Sequence, residues 1–177
     1  REAEVAGHRL VPPTADFQMG TDPKADRRRD KPVAGDLRLS IGNFQGKPTA
    51  VLYRPLAADK APRKFYSGTV KDGYEMESVR VVAEARIEVT VDAPGRRYVV
   101  EAAVPLAALG VAPSPGLTFS GDFGVTYGDP DGKDTVLRSY WNNQATGIVA
   151  DEVWELVLAP ANWGQIEHQF PDFVGDD

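Results

Sequence analysis

Apolar and polar residues alternate with period two along much of this chain. Residues 36–41 read Asp36-Leu37-Arg38-Leu39-Ser40-Ile41, the pattern of a strand with one buried face. Gly42-Asn43-Phe44-Gln45-Gly46 supplies turn chemistry, and residues 49–53 return as its antiparallel partner. The longest run covers residues 79–91, where Val79, Val81, Ala83, Ala85, Ile87, Val89 and Val91 hold the odd positions and mostly polar residues the even ones. A helix needs apolar residues three and four apart, so this run predicts one long or bulged strand. Asp92-Ala93-Pro94-Gly95 then turns the chain into a strand at 98–104, completing a hairpin. Residues 105–110 fit one short helical turn, with Pro105 at its first position and Gly110 at its end.

Alternation resumes at 119–127, with Phe119, Gly121, Phe123, Val125 and Tyr127 on one face, and further strands are expected at 135–141 and 154–158. The first 35 residues are rich in proline and charge and predict loop, with one short strand near Phe17-Gln18-Met19. Many short strands, 17 glycines and 14 prolines predict an all-β fold. It should be an antiparallel β-sandwich of jelly-roll or immunoglobulin-like topology with one short helical turn. A chain of 177 residues suits one core. The expected layout is an irregular segment at 1–15, the sandwich at 16–167 and an acidic tail at 168–177, with the chain expected to fray after Gly164.

Composition narrows the partners. A net charge of −6 and a pI near 5.0 argue against nucleic acid, which requires a basic face. The basic run Arg27-Arg28-Arg29 alternates with Asp22, Asp26 and Asp30 and reads as a solvated loop. No apolar stretch approaches the ~20 residues of a membrane span, and no charged-then-apolar segment opens the chain, so a soluble or already trimmed form is expected. The absence of cysteine excludes disulfides, thiolate metal sites and cysteine nucleophiles. Glu75 with Glu77 is the kind of carboxylate pair that an acidic chain produces by chance, and no nucleophile, zinc or phosphate-loop motif accompanies it; no catalytic residue is predicted. His8 and His168 lie near the termini and are expected to be solvent-exposed.

The best ligand candidates lie at 140–143. A sugar site needs an aromatic platform flanked by planar hydrogen-bonding side chains, and Tyr140-Trp141-Asn142-Asn143 supplies both. Trp141 ends a predicted strand, where ligands commonly bind, and points opposite to Tyr140 and Arg138. Tyr53, Tyr66 and Tyr74 lie near turns and could complete a binding face. Asp122 and Arg138 are candidates for a partly buried ion pair, and Trp154 and Trp163 for core positions. Asp129-Pro130-Asp131-Gly132-Lys133-Asp134 clusters oxygens as a calcium loop does, with Asp151 as a distant fourth carboxylate. The same hexapeptide equally suits a polar hairpin turn.

Several of these segments, taken in order, carry a resemblance: Gly35-Asp36-Leu37-Arg38-Leu39, the Val104-Pro105-Leu106-Ala107-Ala108-Leu109-Gly110 turn, Gly121-Asp122-Phe123-Gly124-Val125, Arg138-Ser139-Tyr140-Trp141-Asn142-Asn143, Thr146-Gly147-Ile148, and the closing Pro160 with Trp163-Gly164. Over residues 16–167 the chain resembles the sugar-binding domains of carbohydrate-binding module family nine and its DOMON-like relatives. Such domains usually begin with further aromatic-bearing strands, which have no counterpart ahead of Phe17. The resemblance implies a secreted or periplasmic, non-catalytic domain for polysaccharide or oligosaccharide, appended to a larger protein and in some members stabilised by calcium. Its ligand would stack on Trp141 and bond to Asn142, Asn143 and Arg138, with Tyr140 and Tyr53 nearby. No organic cofactor is expected on that reading. Two alternatives are a haem-binding redox domain, for which Met19 and Met76 are the only methionines, and a structural adaptor without a ligand.

Overall fold

The computed structural model describes residues 14–26, 28–44, 46–66, 73–92, 97–128, 135–145 and 156–167. Its centre is the alternating segment at 36–41, which forms strand β2 (Asp36–Phe44). β2 pairs with β3 (Lys47–Arg54) on one side, setting Leu39 opposite Leu52 and Ile41 opposite Ala50. On its other side lies β1 (Thr14–Gly20), with Phe17 opposite Leu39 and Gln18 opposite Arg38.

Strands β4 (Arg63–Phe65) and β5 (Tyr74–Met76) form a small ribbon, and β6 (Ser78–Val81) pairs with the outer edge of β3. A hairpin of β7 (Arg86–Asp92) and β8 (Arg97–Ala103) follows. The long β9 (Thr118–Gly128) adds to the free edge of β1 and pairs in turn with β10 (Thr135–Tyr140) and β11 (Gly164–Glu167) along its own outer edge. The main sheet therefore runs β10-β9-β1-β2-β3-β6, with β11 also on β9, and its pairings are antiparallel.

The fold is all-β and sandwich-like. The β7–β8 hairpin and the 3-10 turn Leu106–Leu109 cover the apolar face of the main sheet. The buried cluster comprises Leu37, Leu39, Ile41, Ala50, Leu52, Val82, Leu109 and Val111, with Ile87, Val100 and Val104 packed against it. The expected helical turn is present, closed by Gly110 in the left-handed region at φ 70°, where a residue without Cβ avoids strain.

Four expectations need correction. The run at 79–91 is two strands in different sheets. The chain turns between them, with the Ala85 N–H donating to the Val82 carbonyl at 3.2 Å, and the buried parity changes there: Val81 is exposed and Val82 buried, while Ala85 and Ile87 pack on the core. The unbroken alternation in sequence conceals the switch. Residues 164–167 are ladder-bound as β11, because β9 outruns β10 and leaves an edge that this segment fills. Leu156 is helical and residues 157–159 lack regular structure, so the expected strand at 154–158 is not formed there, and Trp154 lies outside the described residues. The supposed short strand near Phe17 is seven residues long and sits inside the sheet between β2 and β9.

Candidate functional site

Strand pairing sorts side chains to two faces of the sheet. On the apolar face, Phe17 of β1 stands directly opposite Phe123 of β9, and Trp141, one residue past β10, donates its N–H to the Phe123 carbonyl at 2.8 Å. The three rings form a strip: Phe17 and Phe123 have centroids 6.4 Å apart and planes at 28°, and Phe123 and Trp141 are 5.4 Å apart at 17°. They are 36%, 47% and 49% exposed, respectively, so the strip faces water instead of being sealed in the core. The Trp141 ring occupies the space that a side chain at Gly164 would fill, so the close approach of β11 requires glycine there.

Beside the strip, the chain after Trp141 is held by Asp122, whose side chain is 1% exposed. Its Oδ1 accepts the N–H of Asn142 at 2.9 Å and of Phe123 at 2.9 Å, and its Oδ2 accepts the N–H of Asn143 at 2.7 Å. The Asn142 amide donates to the Asn162 carbonyl at 2.7 Å. Asp122 therefore organises the turn that carries Trp141. This corrects the expected ion pair with Arg138, which lies opposite Thr126, four residues along β9 from Asp122, or roughly 13 Å of strand. Among the described residues Arg138 Nε is buried without a hydrogen-bond partner.

Next to Phe17 the apolar face opens into a cleft of about 310 Å³ between the sheet and the β7–β8 hairpin. Its wall includes Phe17, Met19, Leu37, Ile41, Val100 and Leu109.

The opposite face is polar and nevertheless buried. Asp16, 0% exposed, accepts from Arg38 Nε at 2.7 Å, Ser40 Oγ at 2.7 Å and Gln18 Nε2 at 3.5 Å, and from the Tyr140 hydroxyl. Gln18 in turn accepts the Trp163 indole N–H at 3.2 Å. Along the same face, Asp36 pairs with Arg29, which also lies over the Trp163 ring at 5.7 Å. Gly124 leaves room for the Tyr140 ring, because a side chain there would collide with it.

Burial, reinforced by the Asp16 carboxylate, raises the Tyr140 phenol above its ordinary value. Burial likewise raises that of Tyr53, against the opposing pull of Arg38. In the unfolded chain both phenols ionise near pH ~10. Because the folded values are higher, the stability they contribute is complete below pH ~10 and declines as pH rises through the folded values. The decline is up to about 1.4 kcal/mol per pH unit for each phenol. Denaturant midpoints are therefore expected to fall above pH ~10, and Tyr140→Phe to flatten the fall. A midpoint unchanged across that range would refute this account of the buried phenols.

The structure divides the six sequence-predicted ligand residues. Trp141, Asn142 and Asn143 come together at the end of the strip. Tyr140 is buried on the polar face with its hydroxyl committed to Asp16. Arg138 shares that face by register, as does Tyr53, which packs against Phe65 at 6.3 Å. Asp129, Asp131, Asp134 and Asp151 lie outside the described residues. Among the described residues no group of three or more metal-ligating side chains is assembled. Sequence reasoning missed Phe17 and Phe123 as partners of Trp141. The signal was present in Phe123 itself, at the centre of an apolar-parity run, but its pairing with Phe17 requires knowing that β1 neighbours β9. Comparison with family models, curated proteins and solved structures finds no match.

Proposed function

We propose that the protein is a non-catalytic carbohydrate-binding domain of the secreted or periplasmic kind, with the Phe17–Phe123–Trp141 strip as its platform. The observation that carries this reading is the strip itself: three stacked rings, each between a third and a half exposed, on one sheet face. Exposed aromatic surface of this extent is costly in water unless it serves a contact. The C–H faces of pyranose rings are a fitting one, since they are apolar and flat while the ring edges carry hydroxyls. The exposed Asn142 and half-buried Asn143 lie at the edge of the platform and bring amide groups suited to those hydroxyls.

Among the described residues no helix is long and apolar enough to cross a membrane. The haem alternative finds one supporting residue, Met19 on the cleft wall. The rest of the described lining is alanine, phenylalanine, leucine, isoleucine and valine, with no nitrogen ligand to oppose Met19. The residues present do not fit a haem held by methionine with histidine or lysine, and no redox chemistry is derived from the cleft.

Tryptophan fluorescence of the purified domain, titrated with a panel of soluble oligosaccharides in calcium and again in chelator, tests the proposal. A saturable shift is expected for at least one sugar. Trp141→Ala should abolish it while leaving the melting temperature within a few degrees, since the ring is half exposed. Loss of the shift in chelator would assign calcium a role and direct attention to Asp129, Asp131, Asp134 and Asp151. No response to any sugar in either condition, or a response that survives Trp141→Ala, would overturn the proposal; the first result would favour the adaptor reading.

A further inference from the structure

A second cleft, of about 490 Å³, lies at the other end of the main sheet, between β3, β6 and the 3-10 turn. Its charged walls are Arg54, Arg80, Lys60, Asp59 and Glu77. Register explains how the two arginines meet. Leu52 is opposite Arg80 and Arg54 opposite Ser78, so Arg54 and Arg80 are diagonal neighbours on one face of adjacent strands.

Like charges so placed repel each other, and the surroundings do little to compensate. Lys60 and Glu77 satisfy one another at 2.8 Å, and Glu77 also accepts the Ala57 N–H at 2.9 Å. That leaves Asp59, on an exposed stretch of chain, as the only other carboxylate on the described wall. Among the described residues neither arginine forms an ion pair. Arg80 donates from Nη2 to the Ala108 carbonyl at 3.0 Å, but its Nε is buried without a partner. Burial and the neighbouring Arg80 lower the pKa of Arg54, against a smaller opposing effect of Asp59. Gly110 presents no side chain toward the Arg54 guanidinium, which keeps this side of the cleft open.

Two half-buried guanidinium groups that converge on one cleft, with unused donor capacity and no paired carboxylate, form a receptor for a planar or tetrahedral oxyanion. We propose that this cleft binds the carboxylate, phosphate or sulfate group of a small ligand, gripped between Arg54 and Arg80. The volume is that of a small-molecule site, so the oxyanion is carried on a larger body, such as an acidic or phosphorylated sugar. This site is separate from the aromatic strip, and either can fail without the other.

The test is calorimetric titration of the full chain with inorganic phosphate, sulfate, glucuronate and, as a neutral control, glucose, all at one ionic strength. Saturable binding of at least one oxyanion is expected. Arg54→Gln should raise its half-saturating concentration about tenfold or more, as loss of a charge-assisted bond implies. Arg80→Gln should do the same, and Arg54→Lys should restore part of the binding. Preference for glucuronate would identify a carboxylate ligand, and preference for phosphate or sulfate a tetrahedral one. No saturable binding of any oxyanion by the wild-type protein, or binding unaltered by Arg54→Gln, would overturn the proposal. The wild-type titration and Arg54→Gln decide it even if Arg80→Gln does not fold.

Discussion

Replacement of Asp16 by leucine is expected to destabilise the protein by about 3–5 kcal/mol, because it takes from the buried Arg38 guanidinium the carboxylate that meets it in the interior. The Asp16 side chain is 0% exposed and that of Arg38 8%, and the Nε–Oδ1 distance is 2.7 Å. Water therefore cannot take over the role of the lost carboxylate. Burial works against the charge of Arg38, but a guanidinium stays protonated in proteins, so Arg38 does not escape by deprotonating. Ser40 and Tyr140 lose an acceptor at the same time. Arg38→Met alone should also be costly, as it leaves the buried Asp16 carboxylate without this cation, held by the neutral donors of Ser40, Gln18 and Tyr140. Their combination should cost much less than the two single effects added, since replacing both partners of a buried pair by apolar groups is often close to neutral. Denaturant unfolding of the four proteins closes the cycle. Strict additivity would mean that the pair contributes no coupling.

That network also shows where sequence reading succeeds and where it stops. The period-two pattern at 36–41 placed β2 and its apolar residues correctly, because burial of Leu37, Leu39 and Ile41 is a one-strand property. The same pattern implied that Asp36, Arg38 and Ser40 face water, and they do not. β2 is buried on both faces, and its polar face is tolerable only because Asp16, one strand away, meets Arg38 and Ser40. Alternation reports chemistry along a strand, whereas the pairing of opposite charges depends on which strand lies alongside. The trace of it in sequence was the shared parity of Asp16 with Gln18 and of Asp36 with Arg38. This became interpretable only when β1 was found between β2 and β9.

The candidate site divides in the same manner. Trp141 with Asn142 and Asn143 was legible because it is local, a strand end followed by amides. That Tyr140 and Trp141 point to opposite faces also follows from parity alone. The platform was not legible, because it joins residues 17, 123 and 141 through two strand pairings, one of which links positions more than a hundred apart. Nor was the part played by Asp122, whose carboxylate binds backbone N–H groups at Phe123, Asn142 and Asn143 and, among the described residues, no cationic side chain that composition would flag.

Trp163 was expected in the core and is 0% exposed, but its position is unusual enough to make its removal informative. It follows the 3-10 turn Pro160–Asn162 and covers the polar face, with its ring over the Gly20 backbone, its N–H on Gln18 and the Arg29 guanidinium above it. Trp163→Ala is therefore expected to cost about 3–5 kcal/mol, the range for deleting a large buried aromatic. Water admitted to the cavity would also reach Arg29 and Asp36, whose pairing depends on that cover. Trp163→Phe keeps most of the volume and removes only the indole donor. It should cost about 1–3 kcal/mol, which is the penalty for leaving the buried Gln18 oxygen unsatisfied. A large gap between the two variants in denaturant unfolding at unchanged m-value would assign the dominant role to packing. Equal losses would assign it to the hydrogen bond, making the Gln18–Trp163 contact the link that fastens β11 and its preceding turn to the centre of the sheet.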